Sequence, residues 1–129
     1  MAYDDARVAT ADLKETHDLI GSDKVEGTKV YDLSGEHVGS IERIMIEKRS
    51  GKVSYAVLSF GSFLGIGGDH YPLPWGKLTY DEQLGGYRTD ISREQLEGAP
   101  RYDREDDSFW NADNGRRVYD YYGVTPYWI

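Results

Sequence analysis

The sequence has no cysteine among its 129 residues. This excludes a disulfide framework, a thiolate zinc site and a thiol nucleophile, and it suits a reducing compartment. Basic residues are also scarce, because 15 Lys and Arg stand against 23 Asp and Glu and leave a net charge of −8. Such a field repels phosphate backbones, so we expect no nucleic-acid partner. The same charge keeps a protein dissolved without implying an acidic docking surface.

Long apolar runs are missing as well. The uncharged stretch over residues 53–68 has 16 residues and contains four glycines, whereas a membrane-spanning helix needs ~20 apolar residues. The first fifteen residues, MAYDDARVATADLKE, carry acids where a secretory leader carries bases. We therefore predict no membrane span, and we expect a cytoplasmic protein of about one domain.

The stretch 53–68 organises the rest of the chain. Its first half, VSYAVLSF, is rich in β-branched and aromatic residues and predicts a strand. Apolar side chains fall on both parities, which predicts a strand covered on both faces in the wall of a small barrel. Its second half, GSFLGIGG, predicts a loop, because glycine adopts backbone angles that other residues avoid.

The strand before it, predicted over residues 37–48, has an irregular pattern. Ile44 and Ile46 share one parity, whereas Ile41 has the other. One extra residue near Glu42-Arg43 would realign them, so the pattern predicts a β-bulge. A shorter strand is predicted over residues 28–32, with a turn at Asp32 to Glu36 in which Gly35 is left-handed.

Turn and breaker residues divide the remainder of the chain. Arg49-Ser50-Gly51 predicts a tight hairpin ending in a left-handed glycine. A strand at 69–75 contains two prolines, so it is predicted to be broken or to lie at a sheet edge. A last hairpin is predicted over 77–90. Ser92 with Gln95 predicts a short capped helical turn that ends at Gly98.

Several of these motifs, in this order, resemble the PRC-barrel family, the domain shared by the photosynthetic reaction-centre H subunit and the C-terminal part of a ribosome-maturation factor. The matching motifs are Lys29-Val30-Tyr31-Asp32 with Gly35, Gly39-Ser40-Ile41, residues 51–58, residues 63–67 and Pro72-Leu73-Pro74-Trp75. The resemblance covers about residues 19–97, and the ending at 121–128 resembles tails of stand-alone bacterial members. It implies a six-stranded barrel used mainly for protein contacts, and it supplies no catalytic residues.

The predicted fold is all-β: a small six-stranded antiparallel PRC-type barrel at 19–100. A mobile arm is predicted at 1–18, and a linker with an aromatic, partly helical tail at 101–129. Asp113 is predicted to cap a helix that runs to Tyr122, with Gly123 beyond its end. From Phe109 onward the tail carries seven large rings, at Phe109, Trp110, Tyr119, Tyr121, Tyr122, Tyr127 and Trp128.

Two places offer apolar surface for a protein contact. Phe63 and Leu64 lie in the glycine-flanked loop, where they either bind a partner or plug one end of the barrel. The tail residues Trp110, Tyr121, Tyr122, Tyr127 and Trp128 dock either on their own barrel or on a second copy. We favour a homodimer in which the tail takes part.

The sequence contains few signs of a catalytic, metal-binding or nucleotide-binding site. The three histidines, His17, His37 and His70, lack metal-ligand spacing, and the glycine loop lacks the third glycine and the helix of a nucleotide site. We expect no cofactor, no metal and no enzymatic activity. The sequence thus indicates a non-catalytic interaction or assembly module that associates with itself or another protein. The alternative is a small-molecule or metal-binding protein, or an enzyme, with a site near Asp69 and His70.

Overall fold

The computed structural model describes residues 15–59, 69–103 and 107–125. The strands are β1 (Lys29–Tyr31), β2 (His37–Ile46), β3 (Val53–Ser59), β4 (Asp69–Pro74), β5 (Thr79–Asp81), β6 (Gly86–Arg88) and β7 (Tyr102–Asp103). The α-helices are α1 (Ser22–Val25), α2 (Arg93–Glu97) and α3 (Ala112–Tyr121), and 3₁₀ turns occupy Trp75–Lys77 and Asp107–Phe109.

The strands form one sheet in the order β5-β6-β1-β2-β3-β4-β7. Every pair is antiparallel except β1 with β6, which run parallel with Val30 opposite Tyr87. The prediction of a purely antiparallel sheet was therefore wrong at this pair. A parallel pair needs a long crossover, and the chain between β1 and β6 provides one. Within the described residues β5 and β7 are the ends of the order, so these pairings give an open sheet rather than the predicted closed barrel.

The predicted bulge in β2 is confirmed. Ile41 lies opposite Leu58 and Arg43 opposite Val57, so Glu42 is the extra residue. Because of this insertion Ile44 lies opposite Ala56, on the same face as Ile41.

Strand β3 is buried on both faces, as predicted. Ala56 and Leu58 point to one face, called here the inner face, and belong to the buried core of the described residues. Tyr55 and Val57 point to the other, the outer face, and are buried as well. A second layer of structure must therefore cover the outer face.

The predicted turns form as expected. The Asp32 carboxylate accepts hydrogen bonds from the backbone N–H groups of Ser34 and Glu36, at 2.9 and 3.0 Å. Gly35 follows with φ +86°, and Gly51 closes the β2–β3 hairpin with φ +77°. Side chains with a Cβ avoid such angles, so glycine is required at both turns.

Strand β4 lies between β3 and β7 in the sheet order, so the prediction of a broken or edge strand was wrong for the strand as a whole and fits only the half that holds the two prolines. Pro72 and Pro74 are opposite Val57 and Tyr55 of β3, whereas the described part of the chain pairs β7 with β4 only at Asp69 and His70. Helix α3 contacts β4 in place of a further strand. Proline has no N–H to offer a neighbouring strand, so a helix is a suitable cover there.

Both later helices have well-defined N-termini. In α2 the Ser92 hydroxyl accepts from the Gln95 N–H at 3.1 Å and the Gln95 side chain accepts from the Ser92 N–H at 3.0 Å, which confirms the capping box. In α3 the N-cap is Asn111, whose side chain accepts from the Asn114 N–H at 2.9 Å. The prediction of Asp113 as the cap was wrong by two residues, because asparagine caps as well as aspartate does.

The C-terminal end of α3 follows the prediction. Gly123 has φ +70°, the Val124 N–H donates to the Tyr119 carbonyl at 2.9 Å, and the Gly123 N–H donates to the Asp120 carbonyl at 3.1 Å. This pair of hydrogen bonds is a Schellman motif, which satisfies the last carbonyls of the helix and stops it there.

Candidate interaction surface

Some of the predicted site residues lie outside the described residues. They are Phe63, Leu64, Tyr127 and Trp128, together with the side chain of Asp69. For them the sequence-based predictions stay predictions, as does that of a mobile arm at residues 1–18, of which residues 1–14 lie outside the described part. The structure places Trp110, Tyr121, Tyr122 and His70.

The first part of the tail lies on the outer face of the sheet. Phe109 stacks on Tyr102 of β7 with ring centroids 4.9 Å apart. Trp110 meets Tyr102 and Tyr55 edge to face, at 5.3 and 5.2 Å. Such aromatic pairs contribute about 0.5–1.5 kcal/mol each beyond the area they bury. These rings therefore form part of the layer that covers β3.

Helix α3 completes this cover. Tyr119 is only 4% exposed, its ring lies perpendicular to that of Tyr55, and its hydroxyl donates to the Ser54 carbonyl at 2.7 Å. Burial also raises the pKa of the neighbouring Tyr122 hydroxyl. Residues 107–125 thus dock on their own chain, whereas the docking of Tyr127 and Trp128, on the barrel or on a second copy, stays a prediction.

Among the tail rings that the structure describes, Tyr121 is the most accessible, at 38% exposure. Its hydroxyl donates to the Gln95 carbonyl and so ties α3 to α2. Three of the predicted tail residues lie within the described part of the chain. Trp110 and Tyr122 pack inward, whereas Tyr121 is partly exposed to solvent.

His70 is buried on the outer face. It lies opposite Tyr102 in the β4–β7 pair, and the two rings are 5.5 Å apart. Its Nδ1 has no hydrogen-bond partner within the described residues. Those residues also contain no group of three His, Cys, Asp or Glu arranged to hold a metal ion. His70 is therefore a buried imidazole that packs against the Tyr102 ring.

The β2–β3 hairpin carries an exposed surface that sequence reasoning missed. Ile46, at the end of β2, is 50% exposed. Beyond it Lys48, Arg49 and Lys52 are exposed and form no ion pair with any described residue. We call residues 42–52 the basic hairpin, because they contain four cations and two acids in a chain whose net charge is −8.

A cavity of about 310 Å³ is the second unpredicted feature. It lies between residues 15–20 and the β5–β6 hairpin, and we call it the acidic cavity. Its lining includes Glu15, Asp18, Leu19, Trp75, Tyr80 and Tyr87. Leu19 is 73% exposed.

One hydrogen-bonded pair anchors the wall of the acidic cavity. The Tyr80 hydroxyl donates to the Glu15 carboxylate at 2.7 Å, and the Lys24 ammonium lies 2.5 Å from the other carboxylate oxygen. The hydrogen bond from Lys24, followed by that from Tyr80, lowers the pKa of Glu15. The Glu15 carboxylate in turn raises the pKa of Tyr80 to about 12. Sequence reasoning missed this pair because its members are 65 residues apart.

A family model described as the PRC-barrel domain matches residues 17–96, which is more than half of the chain. Its bounds agree closely with the resemblance seen from residues 19 to 97. A search of curated proteins finds no match. None of the helices in the described ranges is both long enough and apolar enough to cross a bilayer.

Proposed function

The chain belongs to the PRC-barrel family, and we propose that it is a non-catalytic protein-interaction module that assembles with a second copy of itself. Domains of this family often mediate protein contacts. The observation that carries the proposal is the exposure of Leu19 and Ile46, large aliphatic side chains on a chain whose central strand is covered on both faces. Exposed aliphatic groups within a polar rim favour a protein contact.

The position of the tail narrows the choice of surface. The outer face near Tyr55 is already occupied by Trp110 and Tyr119, so a partner has to bind elsewhere. A dimer must also offset the repulsion between two chains of charge −8, which requires apolar burial or paired charges. The basic hairpin and the acidic cavity offer both.

Self-association is tested by sedimentation velocity over a concentration series. We expect a concentration-dependent rise from the 14.7 kDa monomer to twice that mass. A variant lacking residues 126–129 keeps the Schellman end of α3 and removes Tyr127 and Trp128. If this variant is monomeric, the dimer contact belongs to the last residues of the tail. A full-length chain that stays monomeric at all concentrations contradicts the proposal.

The alternative function, a small-molecule or metal-binding protein or an enzyme near Asp69 and His70, is favoured by one observation. The buried His70 leaves its Nδ1 without a partner among the described residues, and such an atom is a potential ligand or proton acceptor. A thermal-shift screen with divalent metals and nucleotides tests it, since a ligand at ~100 times its dissociation constant adds roughly 2.7 kcal/mol. We expect no saturable shift. A reproducible shift that His70→Ala abolishes supports the alternative.

A further inference from the structure

The basic hairpin has the composition of a docking element. Lys48, Arg49 and Lys52 are exposed and have no ion-pair partner within the described ranges. Ile46 lies beside them at the end of β2. Three unpaired cations next to an exposed isoleucine fit a partner surface that is acidic and contains apolar groups.

The acidic cavity has the complementary composition. Asp18 is exposed at its rim and forms no ion pair with a described residue. Glu82 lies nearby, 3.5 Å from His17 of the lining, and is also exposed. The half-buried rings of Trp75 and Tyr80 form part of the wall. Aromatic faces beside carboxylates attract ammonium and guanidinium groups.

Resting on the self-association proposed above, we propose that the basic hairpin of one copy docks on the second copy and inserts one of its cationic side chains into the acidic cavity there. The cations of the hairpin then approach Asp18 and the rings of Trp75 and Tyr80, while Ile46 reaches Leu19. A cavity of about 310 Å³ is at the lower end of the size range for binding pockets, which is suitable for one long side chain.

Reciprocal insertion makes the assembly a closed dimer. Each copy contributes one hairpin and one cavity, so the two contacts are related by a two-fold axis. The pairing also explains how two chains of net charge −8 associate, because the locally basic segment of each meets an acidic segment of the other.

A charge-swap experiment tests the pairing. The dimer dissociation constant is measured by sedimentation velocity for Arg49→Glu, for Asp18→Lys and for the double variant. Each single variant should dimerise at least about tenfold more weakly, because two symmetry-related contacts become repulsive. The double variant should recover most of the lost affinity. Lys29→Glu and Glu26→Lys, which make the same charge changes at other exposed positions, should leave the constant unchanged.

The possible results distinguish a failure of the hairpin–cavity contact from a failure of the proposed self-association. If the wild type dimerises and both single variants have the same dimer dissociation constant as the wild type and the controls, the hairpin–cavity contact is overturned. The proposed function then still stands. A wild-type chain that is monomeric overturns both. The contact is also overturned if the double variant unfolds thermally like the wild type but dimerises no more tightly than the single variants. Raising the salt concentration should shrink the difference in dissociation constant between the wild type and Arg49→Glu, and a difference that salt leaves unchanged counts against the charge pairing.

Discussion

Removing the Tyr119 side chain should loosen the tail from the sheet. The ring is almost fully buried against Tyr55, and its hydroxyl donates to the Ser54 carbonyl at 2.7 Å. Truncation of a buried aromatic residue to alanine costs about 3–5 kcal/mol. A domain of ordinary stability has only about 5–15 kcal/mol in total, so Tyr119→Ala should melt far below the wild type.

A conservative variant separates the ring from the hydroxyl. Tyr119→Phe keeps the ring and loses one hydrogen bond, which costs about 0.5–1.5 kcal/mol. At this chain length a loss of 1 kcal/mol lowers the melting temperature by about 3–5 °C. Tyr121→Phe is the matched control, because that ring is 38% exposed and water can replace its hydrogen bond. We expect a change within about 0.5 kcal/mol there.

The assay is thermal unfolding followed by circular dichroism, together with tryptophan emission at low temperature. If α3 detaches before the sheet unfolds, the loss of stability is limited to the free energy of docking. Emission from Trp110 then shifts to the red in the folded state, because that ring packs between Tyr55 and Tyr102. Tyr119→Ala protein with a wild-type midpoint and unchanged emission would refute the docking of the tail.

Three further variants test the sheet and the cavity. Val57→Asp places an unpaired charge in a fully buried strand, at a cost of several kcal/mol, so no cooperative melting should be seen; a near-normal midpoint contradicts the assignment. Gly86→Ala places a Cβ 2.5 Å from a backbone oxygen of β1 and should lower stability by about 1–3 kcal/mol in denaturant titration. Its control, Gly76→Ala, has open space around the new Cβ, and equal losses would argue against the β1–β6 pair. Because the pKa of Tyr80 is raised, its hydrogen bond to Glu15 stabilises the fold below pH 10, and this stabilisation is lost as the pH rises towards about 12. Ultraviolet titration should show one tyrosine ionising near pH 12. If Tyr80→Phe gives the same titration curve, the tyrosine that ionises there is not Tyr80.

Local signals in the sequence predicted much of the fold correctly. The extra residue Glu42, the left-handed Gly35 and Gly51, and the Ser92–Gln95 capping box all involve neighbours within a few positions along the chain. Backbone angles and hydrogen bonds over such short distances depend on residue type, so a pattern in the sequence is enough to predict them.

Features that join distant parts of the chain were not predicted. The parallel pairing of Val30 with Tyr87 depends on where the last hairpin returns to the sheet, and no residue type encodes that direction. The hydrogen bond of Tyr80 with Glu15 likewise leaves no local signal. The tail was predicted to be ordered from its rings, but the choice between its own sheet and a second copy depends on the unfilled outer face around Tyr55, which only the fold reveals.

The cover on the outer face also affects how the protein is made. Helix α3 follows the seven strands found in the described residues, so it leaves the ribosome after the sheet that it protects. Until it does, the apolar surface around Tyr55 and Val57 is open to other nascent chains and to chaperones. A translation product ending before α3 would keep that surface permanently open, and we expect it to be cleared by proteolysis or to aggregate rather than to accumulate as a smaller working domain.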